Sequence, residues 1–381
     1  MPTSRSGTPY ETDPNWADMA LELVPPQYKI TVQDDWYALF NPHVQRRFNV
    51  ELHYAIKLEN IVCCVCFSPD GRYLAAASHQ TVKVYDAQSR RHVADFVENH
   101  TSYDNIEESF IRSICFSKDG SHIATASEDN VIRVWDFYHQ KLYKRLLGHT
   151  DQLFALEFIN DHKLVSGGRD STVRIWDLLT GAEQFILRTA DSVASVSVSP
   201  DSNYVAASCQ DGSIYIWHVG TGDRVAKLQG GPDSHTDSIY CVCFLPSGKE
   251  LVSGSLDGSV KSWQLSSPNA SPGSMAPPPP PPSTSVTPRQ TWTIKSTMKG
   301  HTDFVISLGA TDDAEWIISG SKDRTVRVWD AHTGAVQCVM HCHTNTILSI
   351  ATSKEYFATG SGDKMIRLWA YRNNYSTSAP L

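Results

Sequence analysis

The stretch SKDRTVRVWD, residues 321–330, is one copy of a motif that recurs throughout this 381-residue chain. Close copies are SEDNVIRVWD (127–136), GRDSTVRIWD (168–177) and SGDKMIRLWA (361–370), and weaker ones are SHQTVKVYD (78–86), CQDGSIYIWH (209–218) and SLDGSVKSWQ (255–264). The aromatic residue near each ending is Tyr85, Trp135, Trp176, Trp217, Trp263, Trp329 and Trp369, at intervals of 50, 41, 41, 46, 66 and 40 residues. A repeat of about 40 residues that ends in Trp-Asp is typical of a four-stranded propeller blade. The seven copies predict an all-β fold, a seven-bladed β-propeller of WD repeats.

The segments outside the repeats suggest how the ring closes. Residues 1–27 are polar and turn-rich and are predicted to lack fixed structure. The propeller domain is predicted over 28–371. It includes a leading segment, 28–50, whose large apolar side chains are expected to lie against the outside of the propeller, and 372–381 would be a tail. The last repeat stops after its third strand, so the strand-like ELHYAIKL (51–58) is predicted to complete the final blade and remove its open edge.

One insertion, 266–290, is rich in proline and follows Trp263. Its six consecutive prolines, 277–282, favour polyproline II and cannot join a sheet. Because TWTIKSTMKGH (291–301) resumes the blade pattern, the insertion is predicted to be a loop between the third and fourth strands of blade five. It is either a solvated spacer or a docking site for a domain with an aromatic groove.

Composition excludes several classes of function. The 41 acidic residues outnumber the 33 basic ones, for a net charge of −8, whereas a protein that binds a phosphate backbone needs a basic stripe. No apolar run approaches the roughly 18 residues of a membrane span, and the first residues lack the apolar core of a signal peptide. We therefore expect no direct contact with nucleic acid or membrane. The nine cysteines are scattered along strands, which predicts reduced thiols in an intracellular protein.

Histidine, serine, aspartate and tryptophan recur together in a way that resembles a hydrolase triad. A catalytic site needs one triad beside a substrate pocket, and several copies around a ring do not provide that. We predict instead hydrogen bonds that tie the turns and strands of each blade together. The predicted tetrads are His235, Ser255, Asp257 and Trp263; His301, Ser321, Asp323 and Trp329; His343, Ser361, Asp363 and Trp369; and, if the insertion keeps His100 in register, His100, Ser127, Asp129 and Trp135.

Three blades depart from this pattern and are expected to be less rigid. Blade one has Tyr85 in place of tryptophan and lacks the aspartate. Blade three has Gly168 at the serine position, and blade four has Cys209 there with no preceding histidine.

Cysteines and histidines also cluster in a way that suggests zinc. The clusters are Cys63, Cys64 and Cys66, the pair Cys241 and Cys243, and the group Cys338, His341, Cys342 and His343. The first five lie within predicted strands, where a free cysteine acts as a small hydrophobic residue, whereas zinc needs four ligands that converge from loops. No glycine-rich phosphate loop or paired-carboxylate motif stands out either. The sequence predicts no metal, no cofactor and no catalysis.

Propellers bind partners through the loops that rim their faces. Two positions in each repeat are predicted to reach the face that carries the histidine loops: the start of the inner strand and the residue before the turn aspartate. The first gives Phe110, Arg112, Phe154, Tyr240, Phe304 and Leu348, and the second gives Glu128, Arg169, Gln210, Leu256 and Lys322. Aromatic residues beside charged ones around a central opening are typical of interface hot spots. The alternative is that the aromatic residues plug the channel.

The insertion at 98–109 enters the same face and is acidic. No Lys or Arg lies between Arg91 and Arg112, whereas Asp95, Glu98, Asp104, Glu107 and Glu108 accumulate there. Together with Glu128, this acidic sector either receives an Arg- or Lys-bearing segment of a partner or is a solvated loop without a ligand.

The stretches LVPPQYKITVQDDWYALFNP (23–42) and RRFNVEL (46–52), followed by the repeats from VCCVCFSPDGRYLAAAS (62–78) onward, resemble the propeller of the fungal Tup-type general transcriptional corepressors, relatives of Groucho. The resemblance covers about residues 20–371. WD repeats alone would indicate only a superfamily, but DDWYALFNP is peculiar to this family. Family members also carry an N-terminal helical region for tetramer assembly and for a TPR-repeat partner. The resemblance does not reach that region, so this chain is expected to be a monomer.

The resemblance implies a nuclear, non-enzymatic interaction platform that binds sequence-specific DNA-binding repressors through the histidine-loop face. It adds Ser113 and Asn345 to the positions found above. The predicted partner-binding residues are Phe110, Arg112, Ser113, Glu128, Phe154, Arg169, Tyr240, Phe304, Lys322 and Asn345. Histone tails are a further candidate ligand. The alternative function is a substrate-receptor propeller of a ubiquitin ligase or a cytoplasmic scaffold.

Overall fold

The computed structural model describes residues 13–32, 35–97, 110–231, 233–266 and 291–374. Three short 3-10 helices come first, at Trp16–Asp18, Leu21–Leu23 and Pro26–Tyr28. None of the helices in these ranges is long and apolar enough to cross a membrane.

Thirty strands follow in chain order within these ranges. Those before the first repeat are β1 (Lys29–Val32), β2 (Trp36–Phe40) and β3 (Phe48–Lys57). Blade one has β4 (Val62–Phe67), β5 (Tyr73–Ser78), β6 (Thr81–Asp86) and β7 (His92–Val97), and blade two has β8 (Ile111–Phe116), β9 (His122–Ser127), β10 (Ile132–Asp136) and β11 (Lys141–Leu146). Blade three has β12 (Leu153–Asn160), β13 (Lys163–Gly168), β14 (Thr172–Asp177) and β15 (Ala182–Arg188), and blade four has β16 (Val193–Val198), β17 (Tyr204–Cys209), β18 (Ile214–His218) and β19 (Arg224–Leu228). Blade five has β20 (Ile239–Phe244), β21 (Glu250–Ser255), β22 (Val260–Ser266) and β23 (Thr291–Met298). Blade six has β24 (Val305–Ala310), β25 (Trp316–Ser321), β26 (Thr325–Asp330) and β27 (Val336–His341), and blade seven begins with β28 (Ile347–Thr352), β29 (Tyr356–Ser361) and β30 (Met365–Asn373).

Each blade is an antiparallel meander whose hairpins are fixed by turn chemistry. In the turn Ser68-Pro69-Asp70-Gly71, the N–H of Gly71 donates to the carbonyl of Ser68 at 2.8 Å. The Ser68 hydroxyl donates to the Asp70 carboxylate at 2.5 Å. Gly71 has a φ of 72°, a left-handed conformation that glycine adopts at little cost. The proline and glycine therefore end one strand and begin the next, as the sequence indicates.

The inner strands form a closed ring. They contact one another in the order β4, β8, β12, β16, β20, β24 and β28, and β28 returns to β4. Apolar side chains of each blade pack on those of the next; between blades two and three, for example, Phe158 and Trp176 are both 1% exposed. The core is thus a set of layers between neighbouring blades, and the prediction of a seven-bladed propeller is confirmed.

The N-terminal strand completes the last blade. Strand β3 pairs with β30 from Phe48↔Asn373 to Lys57↔Met365, which makes it the outer strand of blade seven. This closure is as predicted, although β3 begins three residues before the predicted strand. Because β30 runs to Asn373, the predicted tail at 372 starts too early; residues 375–381 lie outside the described ranges.

The leading segment extends blade six. Strand β2 pairs with the outer strand β27, and β1 pairs with β2, so this sheet has six strands. The edge of the Trp36 ring packs on Trp369 of blade seven, with ring centroids 4.8 Å apart. The carboxylate of Asp35 accepts two hydrogen bonds from the Arg367 guanidinium, at 2.5 and 3.1 Å. The segment therefore lies against the outside of the propeller, as expected, and joins blades six and seven.

The prediction that residues 1–27 lack fixed structure is wrong for residues 13–27. Trp16 and Val24 are 4% and 2% exposed because they pack on Leu39 and Val339. Apolar residues spaced among prolines were enough to bury this segment on the sheet that β2 extends. Residues 1–12 lie outside the described ranges.

Both insertions also lie outside the described ranges, over 98–109 and 267–290. The strands that flank the proline-rich stretch are nonetheless paired, with Ser266 opposite Thr291. The stretch therefore connects the third and fourth strands of blade five, as predicted.

Candidate partner-binding face

A chain of hydrogen bonds runs through blade five. The indole N–H of Trp263 donates to Ser253 Oγ at 2.8 Å, and Ser253 Oγ lies 2.8 Å from His235 Nε2. His235 Nδ1 lies 2.9 Å from the Asp257 carboxylate. A histidine with its proton on Nδ1 satisfies every partner, since Ser253 then donates to Nε2 and Nδ1 donates to Asp257. The network ties the histidine loop, the turn and two strands together.

The serine of this network is not the predicted one. It lies ten residues before the tryptophan, whereas Ser255 lies eight before it. Ser255 Oγ instead donates to the carbonyl of Asp237 and accepts the N–H of Asp257. The predicted tetrad members Ser255, Ser321 and Ser361 are therefore corrected to Ser253, Ser319 and Thr359. A side chain two residues further along β21 is displaced by roughly 7 Å, so it cannot reach the indole.

Blade three contains a complete network that the sequence interpretation missed. His149 contacts Asp170 and Ser166 at 2.8 and 2.7 Å, and Trp176 donates to Ser166 at 2.8 Å. The premise that Gly168 weakens this blade is thus wrong. A hydroxyl ten residues before the tryptophan is common to all four networks, but one eight residues before it also recurs in blades five, six and seven, so the spacing alone does not choose between them.

Blades two and four differ. In blade two, Trp135 donates to Thr125 at 3.4 Å, and Asp129 forms an ion pair with Arg133. The predicted member His100 lies outside the described residues. In blade four, Ala207 lies ten residues before Trp217, so no hydroxyl stands at the network position, and the hydroxyl of the next residue, Ser208, is buried without a partner among the described residues.

The pKa values of the aspartate and histidine side chains in the networks are consistent with a structural role. Burial opposes ionisation of Asp257, but hydrogen bonds from His235 and Ser259 outweigh it and hold the pKa of Asp257 well below its usual value. The same balance of burial against a bond from His343 lowers the pKa of Asp363 to about 2. Burial lowers the pKa of His301, although Asp323 opposes this effect. An ionised aspartate that is hydrogen-bonded to a buried histidine fixes the geometry of the histidine loop and the turn.

A ring of side chains surrounds the channel mouth on the face of the histidine loops. The second residue of every inner strand sits at a β-bulge, so it has no partner on the next strand. A bulge turns its side chain away from the regular alternation of the strand. The seven residues, which we call the bulge ring, are Cys63, Arg112, Phe154, Ala194, Tyr240, Ile306 and Leu348, and all of them line a cavity of about 450 Å³ in the channel.

The bulge ring contains part of the predicted set. Arg112, Phe154 and Tyr240 are brought together there, and Ser113 lines the same cavity. The sequence interpretation missed Cys63, Ala194 and Ile306, which a strict register of the repeats could have identified.

Phe110 and Phe304 do not line the channel cavity, in contrast to the prediction. Each lies immediately before its inner strand, two positions ahead of the bulge residue, and Phe110 lies beside the bulge ring, with the Arg112 guanidinium 5.5 Å from the centre of its aromatic ring. Phe110 packs edge-on against His79 at 5.0 Å, and the ammonium group of Lys322 lies 4.4 Å from the centre of the Phe304 ring.

Charged residues surround the bulge ring. Glu128 is held by Arg112, whose Nε donates to it at 2.7 Å. The side chains of Arg169 and Lys322 are 60% and 50% exposed, and they approach Asp151 and Asp303 at 3.9 and 3.7 Å. Exposed ion pairs of this kind contribute little and exchange partners readily.

The Arg112–Glu128 ion pair affects the predicted acidic sector, because Glu128 is expected to contribute to it. With its carboxylate engaged by Arg112 and its side chain only 17% exposed, Glu128 does not offer an open acidic site to a partner. Asn345 is exposed on the loop before β28, where its side chain accepts the N–H of Thr346.

The thiols and histidines do not form a metal site in the described residues. No group of three or more histidine, cysteine, aspartate or glutamate side chains there could hold an ion. All nine cysteines are free, and burial raises the pKa of the Cys63 thiol at the channel mouth to about 11.

Comparison with known proteins gives the family. The model of the WD domain, G-beta repeat matches residues 53–86, 98–136, 140–177, 182–218, 226–264, 292–330 and 332–370. The transcriptional repressor rco-1 of Neurospora crassa is 38% identical over 91% of this chain and 56% of its own length. The general transcriptional corepressor TUP1 of Saccharomyces cerevisiae is 35% identical over 89% and 55%, and the protein groucho of Drosophila melanogaster is 27% identical over 61% and 35%. The chain thus spans about half the length of the first two relatives. With one match for each blade, it belongs to the WD domain, G-beta repeat family, and its relatives are Tup1/Groucho-type corepressors.

Proposed function

We propose that this protein is a non-enzymatic transcriptional corepressor that binds DNA-bound repressors through the bulge ring and the charged residues around it. The observation that carries the proposal is the ring itself. Seven bulges direct seven side chains into one channel mouth on a rigid scaffold, and Phe154 and Tyr240 are half-buried there. Partly exposed aromatic residues beside exposed arginine are typical of binding hot spots. The relatives are named as a transcriptional repressor and a general transcriptional corepressor, which supports a partner among transcription factors.

The same proposal implies that the protein acts in the nucleus and that its face binds partners without catalysing a reaction. A corepressor that meets DNA-bound repressors acts in the nucleus. The repeated histidine and aspartate side chains are committed to buried networks within the blades, which supports a binding role for the face.

A chimaera tests the proposal. The full chain replaces the segment of TUP1 that it matches, and expression of a TUP1-repressed reporter is measured in Saccharomyces cerevisiae. We expect the wild-type chimaera to repress, and the double variant Phe154→Ala, Tyr240→Ala to lose at least about tenfold of that repression because each hot-spot truncation costs about 2 kcal/mol of binding. The control is Tyr138→Ala, since Tyr138 is 68% exposed in the turn between β10 and β11 of blade two.

All chimaeras are compared at equal protein level. A wild-type chimaera that leaves the reporter active, or a double variant that represses as well as the control, would overturn the proposal. A lower thermal midpoint of the double variant would show that the two aromatic residues are structural.

We further propose that the chain is a monomer, because apolar surfaces of neighbouring blades are buried against each other around a closed ring. Light scattering of the purified chain at micromolar concentration should give the mass of one copy. A stable tetramer would contradict this.

A further inference from the structure

A second cavity, of about 680 Å³, lies outside the channel, between the leading segment and blades six and seven. Its walls include Leu21, Glu22, Thr31, Val32, Tyr37 and Thr344, and we call it the side cleft. It shares no residue with the channel cavity. Its volume is in the range of pockets that hold ligands or peptide side chains.

The side cleft borders an open sheet edge. Strand β1 is the last strand of the six-stranded sheet, so its outer backbone groups have no strand partner among the described residues. Val32, at the end of β1, is 46% exposed, and Leu23, which follows the lining residue Glu22 in the sequence, is 63% exposed. An open edge with apolar side chains is a template for an added strand. The same sheet already grows in this way, because β2 adds to β27.

The groups that the side cleft presents to solvent favour a cation. The Asp35 side chain is 44% exposed, whereas its partner Arg367 is 7% exposed, so the ion pair shows its carboxylate to solvent. Glu22 is exposed at the rim. The ammonium of Lys29 is engaged by the carbonyl of Leu21 at 2.9 Å.

An aromatic wall adds to this preference. Tyr37 lines the cleft, and one face of its ring stacks on His341, with centroids 4.4 Å apart. Carboxylates beside an aromatic ring attract the cationic head of a lysine or arginine side chain.

We propose that the side cleft binds an extended segment of a partner protein that adds to β1, places an apolar side chain beside Val32, and places a lysine or arginine beside Glu22 and Asp35. This surface lies away from the bulge ring, so its occupation does not depend on the corepressor function proposed above.

The test uses the full chain and a fluorescein-labelled twelve-residue peptide of alternating valine and lysine, followed by fluorescence anisotropy at 0.15 M salt. We expect saturable binding, at least about tenfold tighter than that of the valine–glutamate counterpart. The double variant Glu22→Lys, Val32→Lys should weaken binding by at least about tenfold. The matched control, Asp223→Lys with Val225→Lys, makes the same change at exposed positions of blade four and should bind within about twofold of wild type.

Equal weakening in the cleft variant and the control would show that only the net charge matters and would overturn the proposal. So would binding that neither variant changes. The variant Phe154→Ala, Tyr240→Ala should bind the peptide as the wild type does. Loss of binding in that variant would place the peptide at the channel mouth and overturn the proposal. Thermal midpoints of both lysine variants, measured in parallel, should match that of the wild type.

Discussion

Single hydroxyl groups decide how firmly a blade is tied together. Ser253 is fully buried and stands between Trp263 and His235, so one atom serves both. Ser255 is equally buried but serves only backbone groups. The two serines are two residues apart in the same strand, and their replacement separates the two roles.

Ser253→Ala should destabilise the protein by about 2–4 kcal/mol, since it leaves the indole N–H and the imidazole nitrogen without a partner. Ser255→Ala should cost about 1 kcal/mol. Urea unfolding of both variants measures the difference. Equal losses of stability in the two variants would show that Ser255, the predicted member of the tetrad, matters as much as Ser253.

Glu157, on the inner strand β12, should make the free energy of unfolding depend on pH. Burial raises its pKa to about 7, and Lys118 and a hydrogen bond from the N–H of Val198 at 3.0 Å only partly oppose this. Because the folded pKa lies above the usual value, the stabilising effect of the protonated carboxyl is complete below about pH 4.5 and is lost as the pH rises through 7.

Glu157→Gln should therefore raise the free energy of unfolding at pH 8 by about 2 kcal/mol relative to wild type, and change it little at pH 5. Urea unfolding at the two pH values checks this. The exposed Glu59→Gln serves as the control and should show no such difference. A gain of the same size at both pH values would mean that the amide acts through packing rather than charge.

At the scale of the element, the bulge in each inner strand decides which side chains line the channel cavity. Without the bulge, the side chain of the second residue would alternate regularly with those of its neighbours and point toward an adjacent blade. With it, Phe154 and Tyr240 line the channel cavity while Phe110 and Phe304, two positions earlier in the register, do not. Sequence reasoning found the strand starts but placed residues of both positions in one set, because a bulge has no residue signature in these repeats.

The proline-rich stretch belongs to the same scale. Ser266 and Thr291 are paired, so replacing 267–290 by Asn-Gly should give a two-residue hairpin with a thermal midpoint close to that of the wild type, since loop-closure entropy changes slowly with length. Differential scanning calorimetry of the two chains measures the change. Insoluble product or a strongly lowered midpoint would show that the stretch supports blade five.

At the scale of the whole molecule, stability depends on how the two ends of the chain meet. Strand β3 is separated from β30 by most of the sequence, yet it supplies the outer strand of blade seven. The leading segment adds the Asp35–Arg367 ion pair and Trp36 to the same region.

A chain that begins at residue 59 lacks β3 and exposes the edge of β30, so we expect aggregation or a lowered thermal midpoint. A chain that begins at residue 44 keeps β3 and loses β1, β2 and the packed residues 13–27, and it should remain monomeric with a smaller decrease in the thermal midpoint. Size-exclusion chromatography and thermal unfolding compare the two. A chain from residue 59 that behaves as the full chain does would show that ring closure needs only the three strands of the last repeat.

The sequence by itself determined the seven blades, the closure by an N-terminal strand and the location of the proline-rich stretch, because local hydrophobic alternation and turn residues repeat with a constant period. Only the tertiary structure decided which serine joins each network, which aromatic residues line the channel, and that residues 13–27 are packed. These outcomes depend on the register between strands and on distances across the sheet, and a shift of two residues, about 7 Å along a strand, preserves the sequence pattern while it changes the contact.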